Sequence, residues 1–203
     1  MAGRSASGDK KKATECDGIV AWEDEASFWL DGTLHQTWSR IGVQPRVDTF
    51  GARKTAHVFG SITLDEIETD FRFADVFDGH TFHEFLEQVV DHHAPRKVFL
   101  IIDNGPCHWL DAAGKAWLAA HADLIELHRL PPYSPEFNPM EGVWKQTRKR
   151  TTHNRFYRTP EERDAALAST FASFRERREW IAPQVARYRE GWAARPADAD
   201  RAA

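Results

Sequence analysis

Three acidic residues have the spacing expected of carboxylates that meet at one edge of a sheet. Asp24 follows the apolar residues 18–22, and Asp103 follows residues 97–102, a largely apolar run. Active sites of open α/β sheets lie where strands end, so these two side chains would be neighbours if their strands are adjacent. Glu141, at the start of a helix that follows the last predicted strand, would reach the same place.

Three carboxylates in one place predict a particular chemistry. They repel each other and resist desolvation unless a cation neutralises them. All-oxygen ligands favour magnesium or manganese over zinc. Two such ions about 4 Å apart would activate a water or hydroxyl on one side of a phosphodiester and stabilise the leaving oxygen on the other. The pattern therefore predicts metal-dependent phosphoryl transfer, in which the protein mainly supplies positioning and charge.

Each carboxylate also has a purely structural interpretation. Asp24 alone is typical of an exposed strand end. Asp103 alone fits an Asx turn with the two residues that follow it. Glu141 alone fits the third position of a capped helix, where a glutamate completes a capping box. The residues by themselves leave both interpretations open.

A proline-rich segment at residues 130–144 holds the third carboxylate. Four prolines within residues 130–139 fix φ and remove hydrogen-bond donors, which excludes the interior of a strand or helix. Asn138 is a favoured N-cap residue, and Pro139 suits the first helical position. We therefore expect a rigid loop and then a helix that begins just before Glu141.

A cationic stretch follows this helix start. Residues 142–160 contain six basic residues and no acidic one: Lys145, Arg148, Lys149, Arg150, Arg155 and Arg158. The alternative is a solvated helix face, but such faces usually mix charges of both signs. In a chain with a net charge of −4, a cluster of one sign beside a predicted metal site suits a phosphate backbone, and we predict that its first five members bind DNA.

The composition bounds the class of protein. A chain of 203 residues fits one domain, and a hydrophobic fraction of 41% allows a sizeable core. Cys16 and Cys107 are far apart, which indicates a reducing compartment and no disulfide framework. No apolar run approaches the length of a membrane span, and no signal peptide is evident. We expect a soluble cytoplasmic protein, associated with the nucleoid when it binds DNA.

The elements that must position these residues read as α/β with a mixed sheet. Three antiparallel strands are predicted first, and helices and strands then alternate. The predicted strands are 18–22, 26–30, 55–64, 97–102 and 123–130; the helices begin at a Thr81–Glu84 capping box, at Asp111, after Asn138 and after Thr159. The predicted organisation is a disordered leader at 1–17, a catalytic domain at 18–158, helices packed on it at 159–194 and a tail at 195–203.

Histidines provide a second set of candidate metal ligands. His80 and His83 lie three residues apart, and His92 and His93 are adjacent. The segment between these pairs has the pattern of an amphipathic helix, and no cysteine pair accompanies the histidines. The sequence therefore argues against a zinc site.

Three blocks of the sequence resemble the signature blocks of DDE transposases, in the mariner-related group found in bacterial insertion sequences. The blocks are Asp24 with Glu25 at a strand end, residues 98–108, and residues 130–144. The proline-rich block is the most specific of the three. The resemblance extends over about residues 19–157.

The resemblance implies a ribonuclease H-like fold in which an Asp-Asp-Glu triad holds two Mg²⁺ or Mn²⁺ ions. By motif match the triad is Asp24, Asp103 and Glu141, with 37 residues between the last two. In that family water attacks the DNA at the element ends, and the freed 3′-hydroxyl then attacks target DNA. Asn104 and His108 also match family positions, and we assign them supporting roles near the metals or the scissile phosphate.

The sequence departs from the family pattern in one respect. Family members usually have helix-turn-helix modules ahead of this core, and residues 1–18 are too short and unpatterned for one. A separate helix-turn-helix polypeptide is therefore an expected partner, and a homodimer is a further candidate. Two other functions remain open: a non-catalytic DNA-binding remnant of a transposase, and a ribonuclease H-like nuclease without strand transfer.

Overall fold

A computed structural model of the protein describes residues 17–51, 54–131, 137–186 and 188. The predicted leader (except Asp17), the middle of the proline-rich loop at residues 132–136, and the predicted tail lie outside the described residues. Within the described ranges, no helix combines the length and the apolar character that a membrane crossing requires.

The sheet is mixed, as the sequence predicts, and it has five strands among the described residues. Its spatial order is β3-β2-β1-β4-β5. The outer pairs on one side, β1 with β2 and β2 with β3, are antiparallel, whereas β4 is parallel to both β1 and β5. The strands are β1 (Ile19–Trp29), β2 (Thr55–Thr63), β3 (Thr69–Ala74), β4 (Val98–Ile102) and β5 (Ile125–Arg129).

Four helices whose bounds lie wholly within the described residues flank this sheet, residues 182–186 are also helical, and three shorter helical turns connect the elements. The helices are α1 (Gly79–His93), α2 (Ala112–Ala120), α3 (Met140–Thr147) and α4 (Pro160–Glu176). The short turns are 3₁₀ helices at Pro106–His108 and Arg178–Trp180 and a π-helical turn at Arg148–Thr152.

The prediction of two short strands at residues 18–22 and 26–30 is wrong. β1 is one strand of eleven residues, and it pairs with β2 continuously from Ala21 to Trp29. The acidic run between the two apolar pieces looks like an interruption, but its side chains find partners inside the protein. Asp24 therefore lies within a strand and not at its end.

The third antiparallel strand is β3, which the sequence analysis did not predict. Acidic residues before and within this segment obscure its alternating pattern, although Phe71 and Phe73 are apolar. The cap predicted for the next helix is also wrong. Asp78, and not Thr81, is the N-cap of α1, and the two residues form the capping box, in which Thr81 occupies the third helical position.

The last long helix begins as predicted. Thr159 is the N-cap of α4, Pro160 is its first residue, and the Thr159 side chain accepts a hydrogen bond from the backbone N–H of Glu162. α2 likewise begins after an aspartate cap, since Asp111 accepts from the N–H of Gly114. Both starts follow from local side-chain chemistry, which explains why the sequence shows them.

Apolar side chains form a core on each face of the sheet. On one face, Trp144 of α3 and Phe174 of α4 pack with Trp22 and Phe28 of β1. On the other face, α1 packs its phenylalanines against Leu100 and its neighbours in β4. Burying each such side chain stabilises the fold by about 1.5–3 kcal/mol. β1 and β4 lie between the two cores, so their side chains are held from both faces.

A glycine in β2 allows α3 to approach the sheet closely. Gly60 pairs with Asp24 of β1. A Cβ atom at Gly60 would lie 2.6 Å from Cη2 of Trp144 and 2.7 Å from Cε of Met140. The indole ring therefore occupies the space that any larger residue at position 60 would need.

We expect Gly60→Ala to lower the free energy of unfolding by about 1–3 kcal/mol, because the rigid indole must shift to admit the methyl group. Denaturant-induced unfolding measures the change. The control is Thr55→Ala at the start of the same strand, which should change the free energy of unfolding by less than about 0.5 kcal/mol. Equal effects of the two substitutions would contradict the close packing of Trp144 over Gly60.

Candidate active site

The strand register places the first two predicted carboxylates side by side. The parallel ladder between β1 and β4 pairs Trp22 with Ile101. Continued by two residues, the same register aligns Asp24 with Asp103, the first residue after β4 ends. β1 continues beyond this point, and Asp24 still pairs with Gly60 of β2. Asp103, in contrast, lies just beyond the end of β4. About half of the Asp103 side chain is exposed.

Asp24 is held from the helix side of the sheet. Nε1 of Trp144 donates a hydrogen bond to Asp24 Oδ2 over 3.0 Å. Burial and the neighbouring charge of Glu25 raise the pKa of Asp24 to about 7, although the Trp144 bond and a backbone bond oppose that rise. At neutral pH the protein itself therefore does not fully stabilise a charged Asp24.

Glu141 lies in the first turn of α3, between two contacts of this region with β1. Before it, Asn138 Nδ2 approaches the carbonyl oxygen of Glu23 at 3.5 Å, and after it, Trp144 binds Asp24. The helix begins at Met140, and Asn138 Oδ1 accepts a hydrogen bond from the N–H of Met140 over 3.0 Å. The predicted cap is therefore wrong by one residue: Pro139 and not Asn138 is the N-cap, and Glu141 is the second helical residue and not the third residue of a capping box.

Asp103 is fixed by its own turn and by a histidine. Its Oδ1 accepts a hydrogen bond from the N–H of Gly105 over 2.6 Å, which is the Asx turn that the sequence suggested, and it lies 3.0 Å from Nδ1 of His108. Asn104 turns away and donates to the carbonyl oxygen of Leu130 over 2.9 Å. The turn therefore holds the carboxylate, His108 lies beside it with no hydrogen bond to Nδ1 among the described residues, and Asn104 anchors the start of the proline-rich loop.

The acidic run in β1 contributes two carboxylates that the sequence analysis did not assign. Glu23 and Glu25 point to the face opposite Asp24, as alternation along a strand requires. Glu23 Oε2 lies 2.8 Å from His108 Nε2, and Glu25 Oε1 lies 3.2 Å from the same nitrogen. The thiol of Cys107 donates to Glu25. The sequence did contain one indication that the acidic run lies inside a strand: the apolar residues before and after it alternate in the same register.

The burial of these groups opposes their charged forms. The pKa of Glu23 is raised well above its usual value by burial and by the nearby Asp24 and Asp103. Burial and the charge of Glu23 raise the pKa of Glu25 to about 7. Burial lowers the pKa of His108, although the carboxylates around it oppose the shift.

The number of N–H groups on His108 also indicates that the carboxylates around it lack positive partners. A neutral imidazole has one N–H, so it cannot donate to both Glu23 and Asp103. In addition, the buried Glu23 Oε1 has no hydrogen-bond partner within the described residues. The site is therefore deficient in positive charge, and its oxygen-rich donors fit a divalent cation.

The predicted triad is less compact than two other groups of candidate metal ligands. Oxygens of Asp24, Asp103 and Glu141 do not all lie within 4.8 Å of one another in the described part of the chain. Donor atoms of two other sets do: Glu25, Cys107 and His108 beside the candidate active site, and Asp70, His92 and His93 near the end of α1.

The basic residues predicted to bind DNA differ in their surroundings. Lys145, Lys149 and Arg155 are exposed. The guanidinium of Arg148 lies 5.4 Å from the centre of the Phe28 ring, and its pKa is lowered by burial while the charge of Asp24 opposes that shift. Arg150 stacks on Trp180, with 3.6 Å between the guanidinium carbon and the ring centre. Arg148 therefore belongs to the surroundings of Asp24, and Arg150 is packed.

Solved structures similar to this fold include complexes of the Mos1 mariner transposase. A pre-cleavage Mos1 transpososome matches with a TM-score of 0.62 at 14% identity, and Mos1 paired-end complexes with Mn and with Mg match with TM-scores of 0.62 and 0.60 at 15% and 13% identity. Each match covers 92% of this chain but only 57%, 57% and 58% of the Mos1 chains. The likeness confirms the predicted ribonuclease H-like fold.

Sequence comparisons identify the family. No protein in a search of curated sequences matches this one. The family model described as DDE superfamily endonuclease matches residues 19–163. This stretch includes β1 to α3 and all three predicted carboxylates. Since the match covers well over half of the chain, the protein belongs to the family of DDE superfamily endonucleases.

Proposed function

We propose that this protein is the catalytic domain of a transposase, which cuts DNA and joins the resulting 3′-end to target DNA. The observation that supports this most directly is the parallel register of β1 and β4, which aligns Asp24 with Asp103 in a chain of the DDE endonuclease family. Glu141 completes the triad from the start of α3. We assign catalysis to residues 18–158, with the helices after them packed against this domain as far as residue 186; residues 189–194 of the predicted segment lie outside the described residues.

Asp24, Asp103 and Glu141 would hold two Mg²⁺ or Mn²⁺ ions. When bound, such ions activate a water or a hydroxyl and stabilise the leaving oxygen of a phosphodiester. The presence of Mn and Mg in complexes of the structurally similar Mos1 supports this choice of metals. So does the local excess of buried carboxylates, which a divalent cation would neutralise.

Contacts within the chain would hold the two aspartates and the start of the glutamate-bearing helix before DNA arrives, and the exposed Glu141 side chain would close the site when metal binds. Trp144 donates a hydrogen bond to Asp24 from one face of the sheet, and the N–H of Gly105 donates one to Asp103, beside which His108 lies. Asn138 fixes the first turn of the helix that contains Glu141. Side chains already held in position lose little conformational freedom when the site assembles, which lowers the cost of the reaction.

DNA would lie along the exposed cations that follow the triad. Lys145, Lys149 and Arg155 are exposed and would contact phosphates along the DNA, whereas Arg148, whose charge interacts with that of Asp24, would contact the phosphate that is cut. Arg150 supports the helix through Trp180. A separate helix-turn-helix polypeptide would recognise the element ends, and a homodimer would bring two ends together.

Asp103→Asn should lower the rate of nicking of supercoiled plasmid DNA in MnCl₂ by more than about 100-fold, because it removes a charged ligand and not merely a supporting contact. The control is Asp91→Asn on the exposed side of α1, which should retain wild-type activity. Nicking by Asp103→Asn at the wild-type rate would contradict the proposed triad.

The same preparations separate the three candidate functions. A pre-cut oligonucleotide with a 3′-hydroxyl tests strand transfer into a plasmid. Nicking together with joining supports the transposase. Nicking without joining would favour a plain nuclease, and DNA binding without nicking would favour a non-catalytic remnant.

Glu23→Gln should reduce nicking by about 10–100-fold, because Glu23 holds His108 beside Asp103. The metal-free variant should unfold at the same temperature as the wild type or a higher one, since glutamine neither brings a charge into the core nor has to take up a proton when the chain folds at neutral pH. Nicking rates over a range of Mn²⁺ concentrations and thermal unfolding measure the two effects. Glu87→Gln on the exposed face of α1 is the control. Lower stability with unchanged activity would mean that Glu23 is only structural.

The double variant Lys145→Gln and Lys149→Gln should weaken DNA binding. The slope of log K against log salt concentration should fall by about 2, one for each phosphate contact that is lost. Lys115→Gln on α2 is the matched control, because it removes an exposed lysine far along the chain from this stretch. An unchanged slope would show that DNA follows another surface.

A further inference from the structure

A second cluster of metal-binding side chains lies where the C-terminal end of α1 meets the edge strand β3. Asp70 of β3 is buried, and each of its oxygens faces one histidine of the helix. Oδ1 lies 2.7 Å from Nδ1 of His92, and Oδ2 lies 3.1 Å from Nε2 of His93. One donor atom from each of the three residues lies within 4.8 Å of the other two.

We propose that Asp70, His92 and His93 form a second metal site, which binds Zn²⁺ or a transition-metal ion of similar preference. Two imidazole nitrogens and a carboxylate oxygen are a common set of three protein ligands for zinc. Bonds of about 2.0–2.1 Å at tetrahedral angles place neighbouring ligand atoms roughly 3.3 Å apart. The distances from Asp70 to the histidines are shorter, 2.7 Å from Oδ1 and 3.1 Å from Oδ2, so a bound ion would replace these two contacts with small shifts of the side chains.

The site is distinct from the triad in position and chemistry. Across the sheet, Glu23 of β1 pairs with Ser61 of β2, which in turn pairs with Asp70 of β3. Two strand spacings of about 4.8 Å therefore separate the backbone at Asp70 from that at Glu23. The histidine nitrogens favour transition-metal ions, whereas the triad offers only oxygens, which favour Mg²⁺.

Neighbouring side chains can orient these ligands. Ser61 Oγ donates to Asp70 Oδ2 over 3.3 Å. Glu68 Oε2 lies 3.8 Å from Nδ1 of His93. With a proton on Nδ1 directed towards Glu68, the Nε2 lone pair of His93 is available to a metal. Carboxylates commonly orient metal-binding histidines in this way. The His92 side chain is 40% exposed, which provides a path for the ion.

Arg175 of α4 competes with a metal for the same carboxylate. Its Nη2 lies 3.5 Å from Asp70 Oδ1, and about half of its side chain is exposed. A guanidinium so placed neutralises Asp70 and repels an incoming cation. Removing its charge should therefore tighten metal binding, whereas ordinary binding by surface histidines would not respond to Arg175.

Isothermal titration with ZnCl₂ tests the site in the full chain. Cys107→Ser serves as the background, because it removes the thiol of the other cluster. This protein should bind one equivalent of Zn²⁺ at the proposed site. Added His92→Asn should weaken that binding at least about tenfold, and added Arg175→Gln should tighten it about fivefold. Added His80→Asn, at the other end of α1, is the matched control and should leave it unchanged.

A second pair of measurements tests the site if one of these variants does not fold. Co²⁺ bound at the site should give a visible absorption band that His92→Asn removes and Arg175→Gln retains. Zn²⁺ at about 100 times its dissociation constant should raise the unfolding temperature by about 5–10 °C.

The proposal would be overturned by the absence of binding up to about 100 µM Zn²⁺, or by binding that neither His92→Asn nor Arg175→Gln alters. None of these outcomes affects the proposed DNA cleavage, which depends on Asp103.

Discussion

Burial of negative charge in the middle of β1 is the constraint around which this structure is arranged. Glu23, Asp24 and Glu25 are consecutive in a strand that pairs on both sides at its start. Burying one unpaired carboxylate is costly, and three adjacent ones also repel each other. The fold accommodates them because alternation sends Asp24 to one face and the two glutamates to the other. Each face then provides its own partners.

Those partners determine what surrounds the strand. On the face of Asp24, the Trp144 indole must reach the sheet, which requires a glycine at position 60 and ties the start of α3 to β1. On the other face, the 3₁₀ turn after β4 must bring His108 beneath Glu23. Both contacts join segments far apart in sequence, so the candidate site and the tertiary fold form together. The packed cores on the two faces supply the stability that offsets the buried charge.

Local signals account for what the sequence predicts correctly. The apolar run of β4, the aspartate that ends it and the Thr159 cap each depend on a few adjacent residues. The continuity of β1 could also have been predicted, since Trp22, Ala26 and Phe28 occupy alternate positions that face one core on both sides of the acidic run. The side chains that contact the acidic run could not be predicted from local sequence, because His108 lies 85 positions from Glu23. The argument from sequence against zinc at His92 and His93 missed Asp70 for a different reason, which is that β3 has no strong pattern of its own.

The pairing of a buried glutamate with a histidine is poorly explained by stability alone. A glutamine at position 23 would fill the same space and avoid the desolvation of a charge. Glu23 instead has one oxygen bound to His108 and another without a partner among the described residues. A fold that retains an unsatisfied buried carboxylate beside two aligned aspartates maintains a local demand for positive charge. That demand is what a cation-dependent endonuclease requires, because metal binding then relieves an existing strain and does not have to create the site.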